Sequence, residues 1–338
     1  MTPQATPPVG VIGAGNWGQN VVRTFHGLGA LAAVAEANTA MHPALAAAYP
    51  GVPVFEEYRD MLAGPVKAVV VATPAPSHHA IAREALLAGK DVLVEKPMTL
   101  STTEAADLVA LANQQGRILM VGHLLLFQPA VQWIKAYLES GALGRVCALY
   151  QERLNLGKAR AVENALWSLG VHDVAVMLYL MGGAPDRVEA IGQCVLQPAI
   201  EDDVHLHLGF AGGAQAHLHT SWLWPEKRRR LGVLGTAGML VYDELDQTVT
   251  LHRTWITPDD LRNCDQGSAV LFRGSGEPLA LEAAHFLECV ATRSSSLLAS
   301  GAHGLEVVRV LELASLSLAA ERGGEHARPA PGPDPAAP

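Results

Sequence analysis

The sequence is short of charge, aromatic residues and cysteine, and each shortage removes a class of protein. Charged side chains make up 17% of the 338 residues while apolar ones make up 49%. An average globular chain has about 25% charged residues, so disorder, coiled coils and collagen-like arrays are excluded. Positive charge is in deficit, with a formal net charge of −9. Such a chain has no general field for nucleic acid or an anionic membrane, and neither is expected as a partner. The four cysteines, Cys147, Cys194, Cys264 and Cys289, show no C-x-x-C spacing. They read as small buried hydrophobes, not as a disulfide frame or metal site. No apolar run reaches the ~18 residues of a spanning helix, and the start, MTPQATPPVG, has neither a basic nor an apolar signal region, so a cytoplasmic location is expected.

What is present first is an alternation. From residue 8 to 126, short apolar runs (VGVIG, LAAVAEA, AVVVATP, DVLVEKP, ILMVGH) alternate with segments of helical period. This is the βαβ pattern of a parallel sheet with helices on both faces, an α/β domain. Ser77 and Gly89 bracket one helix, and Ser101 with Glu104 forms a capping box before a helix that Gly116 ends. A linking helix is expected over 128–140. Residues 127–322 then read as a second, α+β domain: longer alternating strands (RVCALYQERLN, RVEAIGQCVLQ, VHLHLGF, AQAHLHTSW, RLGVLG, MLVYD) form a large, mainly antiparallel open sheet. Helices are expected only near 164–182, 279–293 and 303–321. The Pro, Gly and Ala-rich tail 323–338 is expected to be disordered.

Directly after the first strand comes GAGNWG, with Gly13, Gly15, Asn16, Trp17 and Gly18. The first glycine permits the turn, the second lets backbone approach a pyrophosphate, and the third allows close packing of the helix expected to open at Asn16. An ordinary tight turn is the alternative, but the strand before and helix after favour a dinucleotide. Glu36 ends the second strand, 18 residues beyond Gly18. A carboxylate there accepts from both ribose hydroxyls and repels a 2′-phosphate, so NAD is expected over NADP. Ligands of open parallel sheets sit beyond the carboxyl ends of the strands. Thr73, Pro74, Glu95, Lys96, Pro97, Gly122 and His123 are therefore expected along the same crevice.

Two residues suit proton handling beside a nicotinamide. Lys96 follows an apolar strand and precedes a proline, and desolvation at a strand end lowers a lysine's pKa toward the working range. His172 interrupts the apolar run ENALWSLGVHDVAVMLYLMG, where it is either a proton acceptor or a satisfied core histidine. On a regular helix Asp173 points about 100° away and is not automatically the orienting partner of His172, whereas Ser168, one turn earlier on the same side, is expected to be.

GAGNWG, ATPAPSHH, EKP and the His172 segment, in this order, resemble the Gfo/Idh/MocA family of NAD(P)-dependent oxidoreductases across residues 8–322. The resemblance implies a Rossmann domain followed by an α/β domain whose open sheet packs against other subunits, giving a homodimer or homotetramer. It also implies a cis Lys96–Pro97 peptide, a Lys96/His172 catalytic pair, and cofactor contacts including His78. The sequence departs from the pattern at Ser168, where many members carry an aspartate, and at Ala75, where asparagine is frequent. VGHLLLFQPA, ERLNLGK, ENALWS and SWLWPEK resemble a bacterial branch associated with nucleotide-sugar oxidation at C3. That likeness implies a small-molecule sugar substrate held by Lys96, His123, Arg153, Asn155, Lys158, Trp167, Ser168, His172 and Trp222, with Lys227 a further candidate. A free sugar or inositol substrate, a non-catalytic NAD-binding regulator, and redox-neutral chemistry with recycled NAD are the competing readings.

Two clusters are set aside. His205, His207, His217 and His219 flank a glycine turn; a three-residue loop at 211–213 pairs 207 with 217 and 205 with 219 on one face, whereas a two-residue loop splits the pairs between faces. No thiolate or suitably spaced acid completes that set, so no metal is expected. Lys227 to Arg230 reads as a solvated turn.

Overall fold

The computed structural model describes residues 6–257, 259–274, 276–296 and 298–325. The first sheet is built from β1 (Val9–Ile12), β2 (Leu31–Ala35), β3 (Val54–Phe55), β4 (Ala68–Val71), β5 (Asp91–Val94) and β6 (Leu119–Val121), joined by α1 (Gly18–Gly27), α2 (His42–Ala48), α3 (Tyr58–Leu62), α4 (His78–Leu87) and α5 (Thr102–Gln115). Its strands are parallel in the order β3-β2-β1-β4-β5-β6. The strands β1, β4 and β5 are buried at every position. That is why they read as unbroken apolar runs, since helices cover both faces. Chain order reverses between β1 and β4, which opens a crevice at their carboxyl ends. The Ser101 hydroxyl accepts from the Glu104 amide at 3.2 Å and Gly116 ends α5 at φ +59°, as expected. Ser77 behaves differently: its hydroxyl bonds Thr73 Oγ1 and Pro74 O, both at 2.8 Å, and leaves α4 uncapped.

Helix α6 (Pro129–Glu139) leads to β7 (Val146–Leu156), α7 (Val171–Met181), β8 (Arg187–Gln193), β9 (Asp203–Gly209), β10 (Gln215–Ser221), β11 (Leu223–Gly235), β12 (Gly238–Asp243), β13 (Thr248–Ile256) and β14 (Asn263–Arg273). These eight strands form one sheet in the order β14-β13-β12-β11-β7-β10-β9-β8, antiparallel except where β7 meets β10. The β9–β10 hairpin has the expected register, with His207 opposite His217 and His205 opposite His219. The inner face, with Leu149, Val204, Leu206 and Leu218, is buried against α7 and α9 (Gly301–Glu325), while α6 lies against β13 and β14.

Several expectations are corrected. Strands β3, β13 and β14 lacked a clear signal; β14 is exposed along nearly its whole length and so shows no alternation. Lys227 to Arg230 lie within β11 and not in a turn. Only Cys289 among the cysteines is buried. Helix α9 continues through the glycines to Glu325, and the remainder of the tail lies outside the described residues. The expected helix 164–182 is two pieces, a π-helical turn at Leu166–Gly170 followed by α7. The last two helices return to the first sheet: Phe286 of α8 (Pro278–Thr292) meets Phe25 of α1 edge-on at 6.5 Å, and α9 packs on α5 and β6 as well as β8. Among the described residues no helix is long and apolar enough to cross a membrane.

Candidate active site

One wall of the crevice comes from the turns that follow the parallel strands. Gly13 turns at φ +90°, and a Cβ there would stand 2.9 Å from the Ala72 carbonyl oxygen; one on Gly18 would stand 2.1 Å from that of Gly13. Both positions exclude a side chain by close backbone approach. A Cβ on Gly15 would meet nothing within 4 Å, so open space lies over the loop where a pyrophosphate would need it. Helix α1 begins at Gly18, two residues later than expected, with no side chain capping its N-terminal amides. The Gln19 and Asn20 amides donate to Gly15 O at 3.0 Å and Trp17 O at 2.8 Å, so what the turn offers an anion is the partial positive charge of the helix N-terminus. Glu36 lies at the end of β2, its carboxylate accepting from Ala14 N at 2.6 Å and Asn38 N at 2.9 Å. The residues present therefore fit a dinucleotide: a cradle without Cβ atoms, a helix N-terminus and an acid at ribose distance along the chain.

Deeper in, Glu95 and Lys96 leave β5, and the Lys96–Pro97 peptide is cis. Trp17 Nε1 donates to Glu95 at 2.5 Å. Burial pushes the Glu95 carboxyl up, against the Trp17 bond and the Lys96 charge. Glu282 of α8, which sequence reading missed, is pushed well up by burial and by the Glu95 charge. Both ring nitrogens of His78 face carbonyl oxygens, of Pro97 at 2.8 Å and Thr73 at 2.7 Å. His78 thus ties the turn after β4 to the turn after β5.

The opposite wall is the segment from Arg160 to His172. Lys96 Nζ reaches across and donates to Ser168 O at 3.1 Å. Burial lowers the Lys96 pKa, with Glu95 and Glu163 opposing. His172 is held well below 6.5 by burial, then by the Lys96 and Arg153 charges, and is neutral at pH 7. Its Nδ1 is buried without a hydrogen-bond partner. Ser168 does not supply one: its hydroxyl donates to Ala165 O at 3.4 Å and accepts from Trp222 Nε1 at 3.2 Å. Ser168 lies in the π-helical turn Leu166–Gly170 and not in regular α7, and its hydroxyl is taken up by Ala165 and Trp222.

Thr73, Pro74, His78, Glu95, Lys96, Pro97, Trp167, Ser168 and His172 line a cavity of about 350 Å³, together with Trp17. It shares Pro74, Ala75, Arg160, Glu163 and Trp167 with a larger cavity of about 670 Å³ that extends to Arg322. Arg160 and Glu163 were missed by sequence reading; nothing in KARAVENA distinguishes them from surface charge.

Other expected substrate residues lie elsewhere. Arg153 is buried, donating to Asp173 at 2.5 Å and Glu244 at 3.0 Å. Burial opposes its charge, and the two carboxylates more than offset that. Gln151 also bonds Asp173, so Asp173 fastens α7 to β7 and orients nothing in the crevice. Asn155 bonds Arg229, and Lys158 is exposed. His123 is buried edge-on to His303, ring centroids 5.8 Å apart, with neither nitrogen partnered; Leu124 lines the crevice in its place. Trp222 is buried behind Ser168. The Trp167 indole lines both cavities and donates to Ser315 Oγ at 2.9 Å.

Comparison with known proteins agrees with this geometry. Residues 8–123 match the oxidoreductase family with an NAD-binding Rossmann fold, Gfo/Idh/MocA, and residues 131–241 match the Gfo/Idh/MocA C-terminal domain. The chain is similar to UDP-N-acetylglucosamine 3-dehydrogenase of Acidithiobacillus ferrooxidans, 30% identical over 249 residues that cover 72% of this chain and 76% of the relative. The solved structure of that enzyme superposes with a TM-score of 0.82 at 26% identity, over 93% of this chain and 98% of that one. GenD2 from gentamicin A biosynthesis, solved in complex with NAD, superposes at 0.79 and 26% identity, over 94% and 95% of the two chains. Inositol 2-dehydrogenase 2 of Saccharopolyspora erythraea is 33% identical over 185 residues, 52% of this chain and 54% of the relative. With a glycine cradle, a lysine at the end of β5 and relatives spanning both sheets, the chain belongs to the Gfo/Idh/MocA family of NAD(P)-binding oxidoreductases.

Proposed function

We propose that the protein oxidises a secondary alcohol of a nucleotide-linked sugar, at C3, in the cytoplasm, with NAD as the acceptor. The observation that carries this reading is Lys96 Nζ, held 3.1 Å from Ser168 O across a crevice lined on one side by the dinucleotide turns and on the other by neutral His172. When bound, the cofactor accepts hydride from the carbinol carbon at nicotinamide C4. Lys96 donates a hydrogen bond to the alcohol oxygen and stabilises the negative charge that develops there. His172, neutral, takes the hydroxyl proton directly or by relay through Lys96. Its pKa is depressed by burial and then by the neighbouring cations, and the charge growing on the substrate oxygen relieves the cations' part of that depression as the reaction proceeds. His78 keeps the turns after β4 and β5 together, and Trp167 closes the sugar side. A diphosphate extends into the larger cavity, where Arg160 offers charge-assisted bonds, Arg322 being paired with Glu201.

Glu36, already fixed by two backbone amides, repels a 2′-phosphate and so favours NAD over NADP; Glu36→Ser should raise kcat/KM with NADP relative to NAD. The outer face of the large sheet exposes Tyr150, Ile191 and Leu234, and a second copy covering it accounts for them as a homodimer or homotetramer interface. The deciding experiment is NAD reduction with UDP-sugars set against free aldoses and inositols. Oxidation of the UDP-sugars supports the reading; oxidation of unphosphorylated polyols alone refutes the nucleotide-sugar assignment. No reduction with any of them refutes the sugar-oxidation reading.

A further inference from the structure

The outer face of the eight-stranded sheet carries a group of side chains the crevice does not use. Four histidines stand there because β9 and β10 alternate strictly and pair His205 with His219 and His207 with His217. Directly opposed residues on one face have Cβ atoms about 4.5–5.5 Å apart, close enough for two imidazoles to share one ion. The reason for expecting no metal was the lack of an acid. Folding supplies one: Asp203, two residues before His205, stands on the same face of β9.

The geometry fits a small ion. His219 Nε2 lies 3.0 and 3.1 Å from the two Asp203 carboxylate oxygens, and His205 Nε2 lies 3.8 Å from Oδ1. One ligand atom from each of the three residues falls within 4.8 Å of the others. Bonds of about 2.0–2.1 Å at tetrahedral angles separate ligand atoms by about 3.3 Å. The observed spacings therefore bracket what a four-coordinate site requires. The His205 and His219 rings lie stacked, 4.0 Å between centroids and 14° from parallel, so binding needs the rings to splay but no movement of the strands. The other rung is already satisfied internally, with His207 and His217 meeting Nδ1 to Nδ1 at 2.7 Å and sharing one proton. A cavity of about 440 Å³ lies over both rungs, leaving room for a water as fourth ligand.

We propose that Asp203, His205 and His219 bind one divalent transition ion of the zinc type, clamping β9 to β10. Two imidazoles and one carboxylate select borderline ions such as Zn²⁺, Ni²⁺ or Cu²⁺ over the harder Mg²⁺ and Ca²⁺. Binding replaces the His219 to Asp203 hydrogen bond with metal ligation and releases any proton shared there. The site is separate from hydride transfer, since it lies across the sheet from His172.

The test uses the full chain without a histidine tag, stripped with chelator and dialysed against Zn²⁺. One saturable site per chain is expected, weakened about 100-fold or more in His219→Ala and in Asp203→Asn, because loss of a ligand costs at least as much as loss of an outer-shell partner. Co²⁺ should give the visible bands of a tetrahedral ion in the parent and none in the variants. His26→Ala, remote from the hairpin, should bind as the parent does. Absence of saturable binding, or equal affinity in the parent and in Asp203→Asn/His219→Ala, overturns the proposal. Because a second copy is proposed on the same face, sedimentation accompanies the titration: one ion per two chains, lost on dilution to monomer, also overturns it. Circular dichroism of each variant shows that a loss of binding is not a loss of fold.

Discussion

The two walls of the crevice are built differently. On the cofactor side, each residue sits on a turn within a few positions of the strand that aims it: Gly13 to Gly18 after β1, Glu36 after β2, Thr73 to His78 after β4, Glu95 to Pro97 after β5. Backbone geometry does most of the placing, and a side chain such as His78 only ties two adjacent turns together. On the substrate side, one short stretch, Arg160 to His172, carries the lining, but its position depends on buried ion pairs with distant strands. Arg153 of β7 joins Asp173 of α7 and Glu244 just beyond β12, and Trp222 holds Ser168 from behind. A wall of turns tolerates change in its surroundings, whereas a wall braced by buried charge depends on every brace.

That contrast is open to attack, beginning with the strongest effect. Lys96→Met should lower kcat by about a thousandfold, the scale of losing a positioned proton-handling group, while NAD affinity measured by fluorescence titration stays within severalfold. Unchanged turnover would remove the proposed mechanism. Arg153→Met should cost about 3 to 5 kcal/mol of stability in a urea titration, because it strands Asp173 as an uncompensated buried charge. A loss below about 1 kcal/mol would show that the substrate wall is not braced in this way.

Acid should weaken the core between the walls. His303, pushed down to about 4 by burial, binds fewer protons folded than unfolded between pH 4 and 6.5. Its contribution is full above pH 6.5 and lost as pH falls toward 4, a change of about 3 kcal/mol. Buried His123 and His172 act in the same direction. His303→Asn should flatten the stability curve over that range, and an unaltered curve would contradict the assignment. On the cofactor wall, Gly18→Ala should cost about 1 to 3 kcal/mol by overpacking against Gly13. Gly15→Ala should leave the melting temperature nearly unchanged and weaken NAD. Smallest of all, Lys158→Ala on the exposed surface should change stability by less than about 0.5 kcal/mol.

The same division governs how much was legible in the chain. The five recognised strands of the first sheet and the Ser101 to Gly116 helix were readable because a strand buried on both faces is an apolar run and a cap is a local contact. The histidine hairpin was readable only to within its loop length, which dictates the register; the structure decides for three residues. The expectation that Ser168 orients His172 fails because its hydroxyl is spent on Ala165 and Trp222, and nothing in LWSLG announces the π-helical turn or a tryptophan arriving from another strand. Arg153 and Arg160 show the harder failure. Both are arginines in one short stretch of chain, yet one is spent on Asp173 and the other lines the cavity.

What the sequence determined by itself is the cofactor half: periodicity, turn residues and the spacing from Gly18 to Glu36 act over a few residues, so they are written in consecutive letters. What only the tertiary structure decided is the pairing of charges and rings across the second sheet, including the acid that Asp203 brings to His205 and His219. Whether an ionisable side chain is spent on a neighbour or left free depends on which strands meet, and the long-range packing of the inner face sets that.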